Sequence, residues 1–294
     1  MVVLNVKIDG QSQFLYETTL ESDVTSTAKE VAKIQNGRLK VTRISRLMED
    51  LSAHGPAIHP KKKGLLEEQI KDLKLDEDPE VIKGQGHEPE GGFESHPDPL
   101  QRRCGQRPKD PGMQRILEDS AAKVLGMISG DLVKENKSLN FEVVEECLAI
   151  LRGAVSIVYP MNLPEYDPIR MELEDREDLA GTQDSKLVLD PDEVVLWFAN
   201  KELKAGNKLK DHLGKHEKTK VVVKQSTRAK GQPSTEPSWS PETMKKLQFE
   251  SFKRMEEIRK LERDDDDSYL NSNWADQGQL KRRFNGLNNI SWKP

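Results

Sequence analysis

"PDEVVLWFANKELKAGNKLKDHLGKHEKTKVVVK", from Pro191 to Lys224, is the stretch on which the fold turns. It opens as a helix would, with Asp190 placed to cap and Pro191 in the first helical position. Val194-Val195-Leu196-Trp197-Phe198 then forms a continuous apolar run, which suits a buried strand better. "KVVVK" at its end, Lys220 to Lys224, reads as a second strand. If residues 193–203 hold a strand, Trp197 and Phe198 point to opposite faces, one inward and one outward.

The order strand, tight turn, short 3₁₀ turn and final strand resembles the second half of ubiquitin. Upstream, "AVSIVYP" (Ala154 to Pro160) is short and β-branched, and "IRMELE" (Ile169 to Glu174) alternates. Read as strands, these two would supply the opening hairpin of a ubiquitin-like segment over residues 153–225. "DREDLAGTQDSKLVLD" stands where the central helix would be, but it is short and holds Gly181.

Outward from this segment, Val2 to Asp9 and Gln13 to Leu20 read as a hairpin turning at Gly10-Gln11-Ser12. Ser22 or Asp23 caps a helix through Ile34, closed by Asn36-Gly37. This repeats a ββα opening, with nothing directly after it to complete a sheet. Leu39, Ile44, Leu47 and Leu51 suggest a second helix ending near Gly55-Pro56. "LLEEQIKDLKL" (Leu65 to Leu75) suggests a third.

The expected class is α+β. Residues 1–75 hold the N-terminal hairpin and helices. Residues 76–112, rich in Pro and Gly and without periodicity, read as a linker. Asp110-Pro111 restarts the chain as N-cap and first helical residue, and 113–152 reads as a helical pair. The ubiquitin-like segment, 153–225, is followed by a linker at 226–239. An amphipathic helix at 240–263 and an extended strap at 264–294 close the chain. Cys147 lies on an apolar stripe with Val144, Leu148 and Leu151 and reads as a packed core thiol.

Composition narrows the function. The 294 residues are 34% hydrophobic and 33% charged, with a net charge of -5. That balance gives no basic footprint for nucleic acid. Two cysteines outside any CxxC pair fit a reducing compartment. No apolar run reaches the ~20 residues that span a bilayer. The chain is expected to be soluble and intracellular, with no membrane insertion.

No chemistry-bearing motif emerges. "GQGHEPEGG" has glycines but neither the spacing nor the strand–turn–helix context of a phosphate loop. His212 and His216 are four apart, but Leu213 follows His212 where HExxH needs Glu. Counting from Asp264, a calcium loop would need Gly sixth and Glu twelfth, where Tyr269 and Ala275 stand. The run Asp264 to Asp267 reads as a solvated end to the preceding helix. No catalytic residue, cofactor or metal is expected.

What remains is a docking surface. The helix carries Met244, Leu247, Phe252, Met255, Ile258 and Leu261 along one edge. The polar tail carries Tyr269, Leu270, Trp274, Phe284 and Trp292, two of the chain's four tryptophans among them. Each large apolar group contributes about 1.5–3 kcal/mol when buried. Tyr and Trp are also the favoured anchors of interfaces. The candidate docking residues are therefore Phe252, Met255, Tyr269, Leu270, Trp274, Phe284 and Trp292. The same tail could pack on its own domain or on a partner.

"NGRLKVTR", "MEDLSAHG", "LRGAVSIVYPMNLPEYDPIRMELED", "EDLAGTQ", "GKHEKTK" and "LERDDDDSYLNSNWAD" occur in this order. In them the chain resembles the kurly family of cilia- and flagella-associated proteins. The resemblance implies a non-enzymatic adaptor needed for cilium motility, acting in assembly of outer axonemal dynein arms. It implies dynein assembly factors, chaperones and axonemal dynein subunits as partners. It also implies a place in the cytoplasm and cytoskeleton, near the basal body or in the axoneme. Alternatives of other classes are a stable structural component of the axoneme and a metal-dependent hydrolase using the aspartate run.

Overall fold

The computed structural model describes residues 1–8, 10–65, 67–75, 78, 81, 87–233 and 241–263. The chain divides into two units, Met1–Thr235 and Glu236–Pro294.

The first unit opens with the expected hairpin, β1 (Val2–Ile8) antiparallel to β2 (Gln11–Thr18). Gly10 takes the left-handed conformation the turn requires, at φ 83°. Val2, Leu4 and Val6 alternate onto one face and are fully buried. Phe14 and Tyr16 lie opposite Val6 and Leu4.

Helix α1 (Val24–His54) follows, with Asp23 as N-cap. The Asp23 carboxylate accepts from the backbone N–H groups of Thr25 and Ser26 at 3.1 and 3.3 Å. The expected stop at Asn36-Gly37 is corrected: the helix runs on through it to His54, 31 residues in all. These two residues serve long-range contacts instead. Asn36 bonds the backbone of Leu189, and a Cβ at Gly37 would lie 2.5 Å from Val144 Cγ1. The true stop is Gly55, at φ 75°, where a Cβ would meet the Gln106 carbonyl at 2.0 Å.

After the short α2 (Glu67–Asp72), the stretch read as a linker contains a second hairpin, β3 (Phe93–Ser95) with β4 (Gln106–Pro108). Its loop is held by Asp98, whose carboxylate accepts from the N–H groups of Leu100, Arg102 and Arg103. Buried Arg103 donates to the carbonyls of Gly55 and Leu47, fastening the loop to the end of α1. Side-chain-to-backbone bonds of this kind order a segment that has no hydrophobic period.

Helix α3 (Pro111–Ile128) begins at Asp110-Pro111 as expected. Helix α4 (Phe141–Val158) absorbs "AVSIVYP" almost to its end, and α5 (Pro168–Leu173) absorbs most of "IRMELE". Both were expected as strands. Ala154, Val155 and Val158 continue the buried helical face of Cys147 and Leu151. Asp167 caps α5 with Pro168 in its first position.

The second-half strands are present: β5 (Val194–Phe198), β6 (Lys201–Glu202) and β7 (Lys220–Thr227), with the short α6 (Leu209–Leu213) before β7. They pair with the N-terminal hairpin in one sheet, order β2-β1-β7-β5-β6. The two central strands, β1 and β7, run parallel, Val3 opposite Lys220 and Lys7 opposite Lys224. The other pairs are antiparallel. This is the strand order of a ubiquitin-like β-grasp. Its opening ββα is the N-terminal one, and residues 55–193 stand inserted between helix and third strand.

Helix α1 crosses the core face of the sheet and reaches beyond it to α3 and α4. Val24, Val31, Ile34, Val41, Ile44, Met48 and Leu51 are buried along it in one continuous cluster with the sheet and both helices. Leu196 and Phe198 join that cluster, and Trp197 between them faces the other side of the sheet.

The second unit contains α7 (Pro241–Arg263). Among the described residues no helix is long and apolar enough to cross a membrane.

Candidate functional site

Two features of the described residues are shaped for contact with something else. The first is a cleft of about 640 Å³ in the first unit, where the end of α1 meets the β3–β4 hairpin and the α4–α5 connection. Ile58, His59, Phe93, Cys104, Pro164 and Tyr166 line it. The floor is a backbone bridge between Ala57 and Arg103. Beneath it Asp167, fully buried, accepts from the N–H groups of Ala57 and Ile169, each at 2.9 Å. Arg103 Nη1 stands 3.7 Å from the same carboxylate. This pair, with its backbone bonds, fixes three chain segments around the cleft.

The chemistry on offer is modest. Cys104 opens to the cleft, but protein crowds it on its other sides and burial pushes its thiol pKa up. A thiol shifted that way stays protonated and is a poor nucleophile. His59 meets the Tyr166 ring edge-on, with centroids 4.8 Å apart. His54 and His96 stack at 4.8 Å, their Nδ1 atoms 3.1 Å apart. No three metal-ligating side chains cluster among the described residues. The Tyr159 hydroxyl is buried without a hydrogen-bond partner, and burial raises its pKa. Nothing in the sequence pointed to this cleft, because its walls come from five separate segments.

The second feature is α7. Phe252 and Met255, both candidate docking residues, are 60% and 63% exposed. Met244, Leu247 and Ile258 on the same edge are also exposed. Charged residues make up most of the remaining faces, with Phe249 exposed among them, so the helix is amphipathic and its described apolar side chains are uncovered. The other candidates, Tyr269, Leu270, Trp274, Phe284 and Trp292, lie outside the described residues, as do Asp264 to Asp267. His212 is on α6 and His216 follows it in an exposed loop.

Comparison with known proteins places these features in a family. The family model described as cilia- and flagella-associated protein 298 matches residues 194–290, which include β5 to β7 and α7. The chain is 42% identical over 293 residues to cilia- and flagella-associated protein 298 of Drosophila melanogaster, spanning all of this chain and 99% of that protein. It is 44% identical over 294 residues to the Mus musculus protein of that name and 43% identical to that of Danio rerio, each matched in full. No solved structure matches. Identity at this level along the whole chain shows that it belongs to the family of cilia- and flagella-associated protein 298.

Proposed function

We propose that this protein is a non-enzymatic adaptor in the assembly of axonemal dynein arms, and so is required for cilium motility. The observation that carries the reading is full-length identity to relatives named as cilia- and flagella-associated proteins. The exposed edge of α7 is in keeping with an adaptor, since it offers apolar surface for docking and no reactive group. Dynein assembly factors, chaperones and axonemal dynein subunits are the proposed partners. The cytoplasm and basal body are the proposed places of action. Phe252 and Met255, with Tyr269, Leu270, Trp274, Phe284 and Trp292 of the tail, are the proposed anchors.

Removal of the protein from ciliating cells tests this. The expected result is axonemes with intact microtubules that lack dynein arms, together with unstable dynein heavy chains in the cytosol. Normal arms in cells without the protein would overturn the reading. Salt-resistant recovery with demembranated axonemes would favour a structural component instead.

A further inference from the structure

We infer that, when no other partner holds it, α7 pairs with α7 of a second copy of this chain, antiparallel, about a two-fold axis passing Ser251. The exposed edge has a palindromic spacing. Met244, Leu247, Ser251, Met255 and Ile258 are separated by three, four, four and three residues. At about 100° per residue these five fall within an arc of roughly 80° centred on Ser251. A two-fold axis there sets Met244 across from Ile258 of the other copy, Leu247 across from Met255, and Ser251 across from itself. Each apolar side chain then meets an apolar side chain, as a self-complementary interface demands. The small Ser251 lets the two helices approach closely at the centre. The four steps cover fourteen residues, two heptads, the spacing that a gentle left-handed supercoil keeps on one seam.

The flanks choose the direction. Phe252 lies beside the seam on one side, and Glu250 and Arg254 lie on the other. In the antiparallel pair, Arg254 falls about 3 Å along the axis from Glu250 of the other copy, by the 1.5 Å rise per residue. The contact occurs twice by symmetry, and the two Phe252 rings meet on the opposite flank. A parallel pair would instead set each Glu250 against Phe252. Moving the axis two residues toward the N-terminus would set Arg254 across from Met244. Of these three arrangements, the antiparallel one centred on Ser251 satisfies both the seam and the flanks. Phe249 lies on the far side of the helix and takes no part.

The test uses the full chain. Sedimentation across the micromolar range is expected to show a species of twice the chain mass. Leu247→Glu and Met255→Glu should each abolish it without loss of helix by circular dichroism, since both positions are exposed. Glu250→Arg alone and Arg254→Glu alone should weaken it, and the two together should restore it. In a Cys104→Ser background, Ser251→Cys should give a covalent dimer on mild oxidation. Met244→Cys alone should not, because its two copies would stand about 21 Å apart along the axis. Met244→Cys combined with Ile258→Cys should link again. A chain that stays monomeric throughout, or Met244→Cys that links to itself, would overturn the proposal.

Discussion

The carboxamide of Asn36 holds the backbone of Leu189 from both sides. Its Nδ2 donates to the Leu189 carbonyl at 2.7 Å, and its Oδ1 accepts from the Leu189 N–H at 3.0 Å. One side chain in the middle of α1 thus acts as a strand-like partner for the segment that leads into β5. Asn36→Ala should cost about 1–3 kcal/mol, because it leaves both backbone groups of a half-buried residue without their partner. Urea unfolding measures it. A loss within a few tenths of a kcal/mol would mean that water replaces the carboxamide.

The neighbouring Gly37 gives an expectation opposite to helix propensity. Gly→Ala inside an exposed helix gains about 1 kcal/mol. Here the new methyl would stand 2.5 Å from Val144 Cγ1 of α4, a stiff and fully buried side chain. Gly37→Ala should therefore destabilise, by about 1–3 kcal/mol as overpacking does. Adding Val144→Ala should cost less than that change costs alone. A strictly additive double variant would show that the two positions do not touch.

Arg43 of α1 and Glu172 of α5 form a buried ion pair at 3.0 Å, with Glu177 and Lys40 nearby. Burial raises the Glu172 pKa above its ordinary 4.5 even so, with Arg43 pulling the other way. A carboxyl whose pKa is higher in the folded chain takes up a proton on folding. Its stabilising contribution is full below 4.5 and is lost as pH rises through the raised pKa. The stability difference between the parent and Glu172→Gln should therefore move in the parent's favour as pH falls toward that value. A difference that is flat, or slopes the other way, would contradict this.

The two thiols should react differently. The Cys147 pKa is pushed up to about 11, mainly by burial, and its side chain is fully enclosed between α4 and the core. Cys104 faces the cleft, with a raised pKa of its own. A thiol reagent at mildly alkaline pH should label one cysteine slowly in the folded chain and both after unfolding. Cys104→Ser should remove the first reaction. Rapid labelling of Cys147 without unfolding would contradict the packing described.

Much of this architecture is written locally. The alternation in Val2 to Ile8, the Asp23 cap, the Asp110-Pro111 restart and the apolar run of β5 each carry their own physical signal. "AVSIVYP" misleads because β-branched residues favour strands on average, while helical spacing from Cys147 through Val158 decides the case by burial. The start of α5 was legible: Asp167-Pro168 is the same cap and first residue as Asp110-Pro111. The pairing of β1 with β7 was not, since a parallel contact between distant segments leaves no mark in either one. For the same reason no local signal marks the cleft beside Cys104. The exposed edge of α7 was readable as a stripe, because a helix writes its own face.

The parallel pairing at the centre of the sheet has a consequence for synthesis on the ribosome. Roughly 200 residues separate the end of β2 from the start of β7. At about 5–20 residues per second, the wait between them is on the order of ten to forty seconds. Throughout it, the first hairpin has emerged while the inner edge of β1 remains open. Unpaired strand edges invite the wrong partner. The nascent chain thus depends for that interval on whatever shields β1, and a transcript cut short before Lys220 yields a hairpin whose edge never closes.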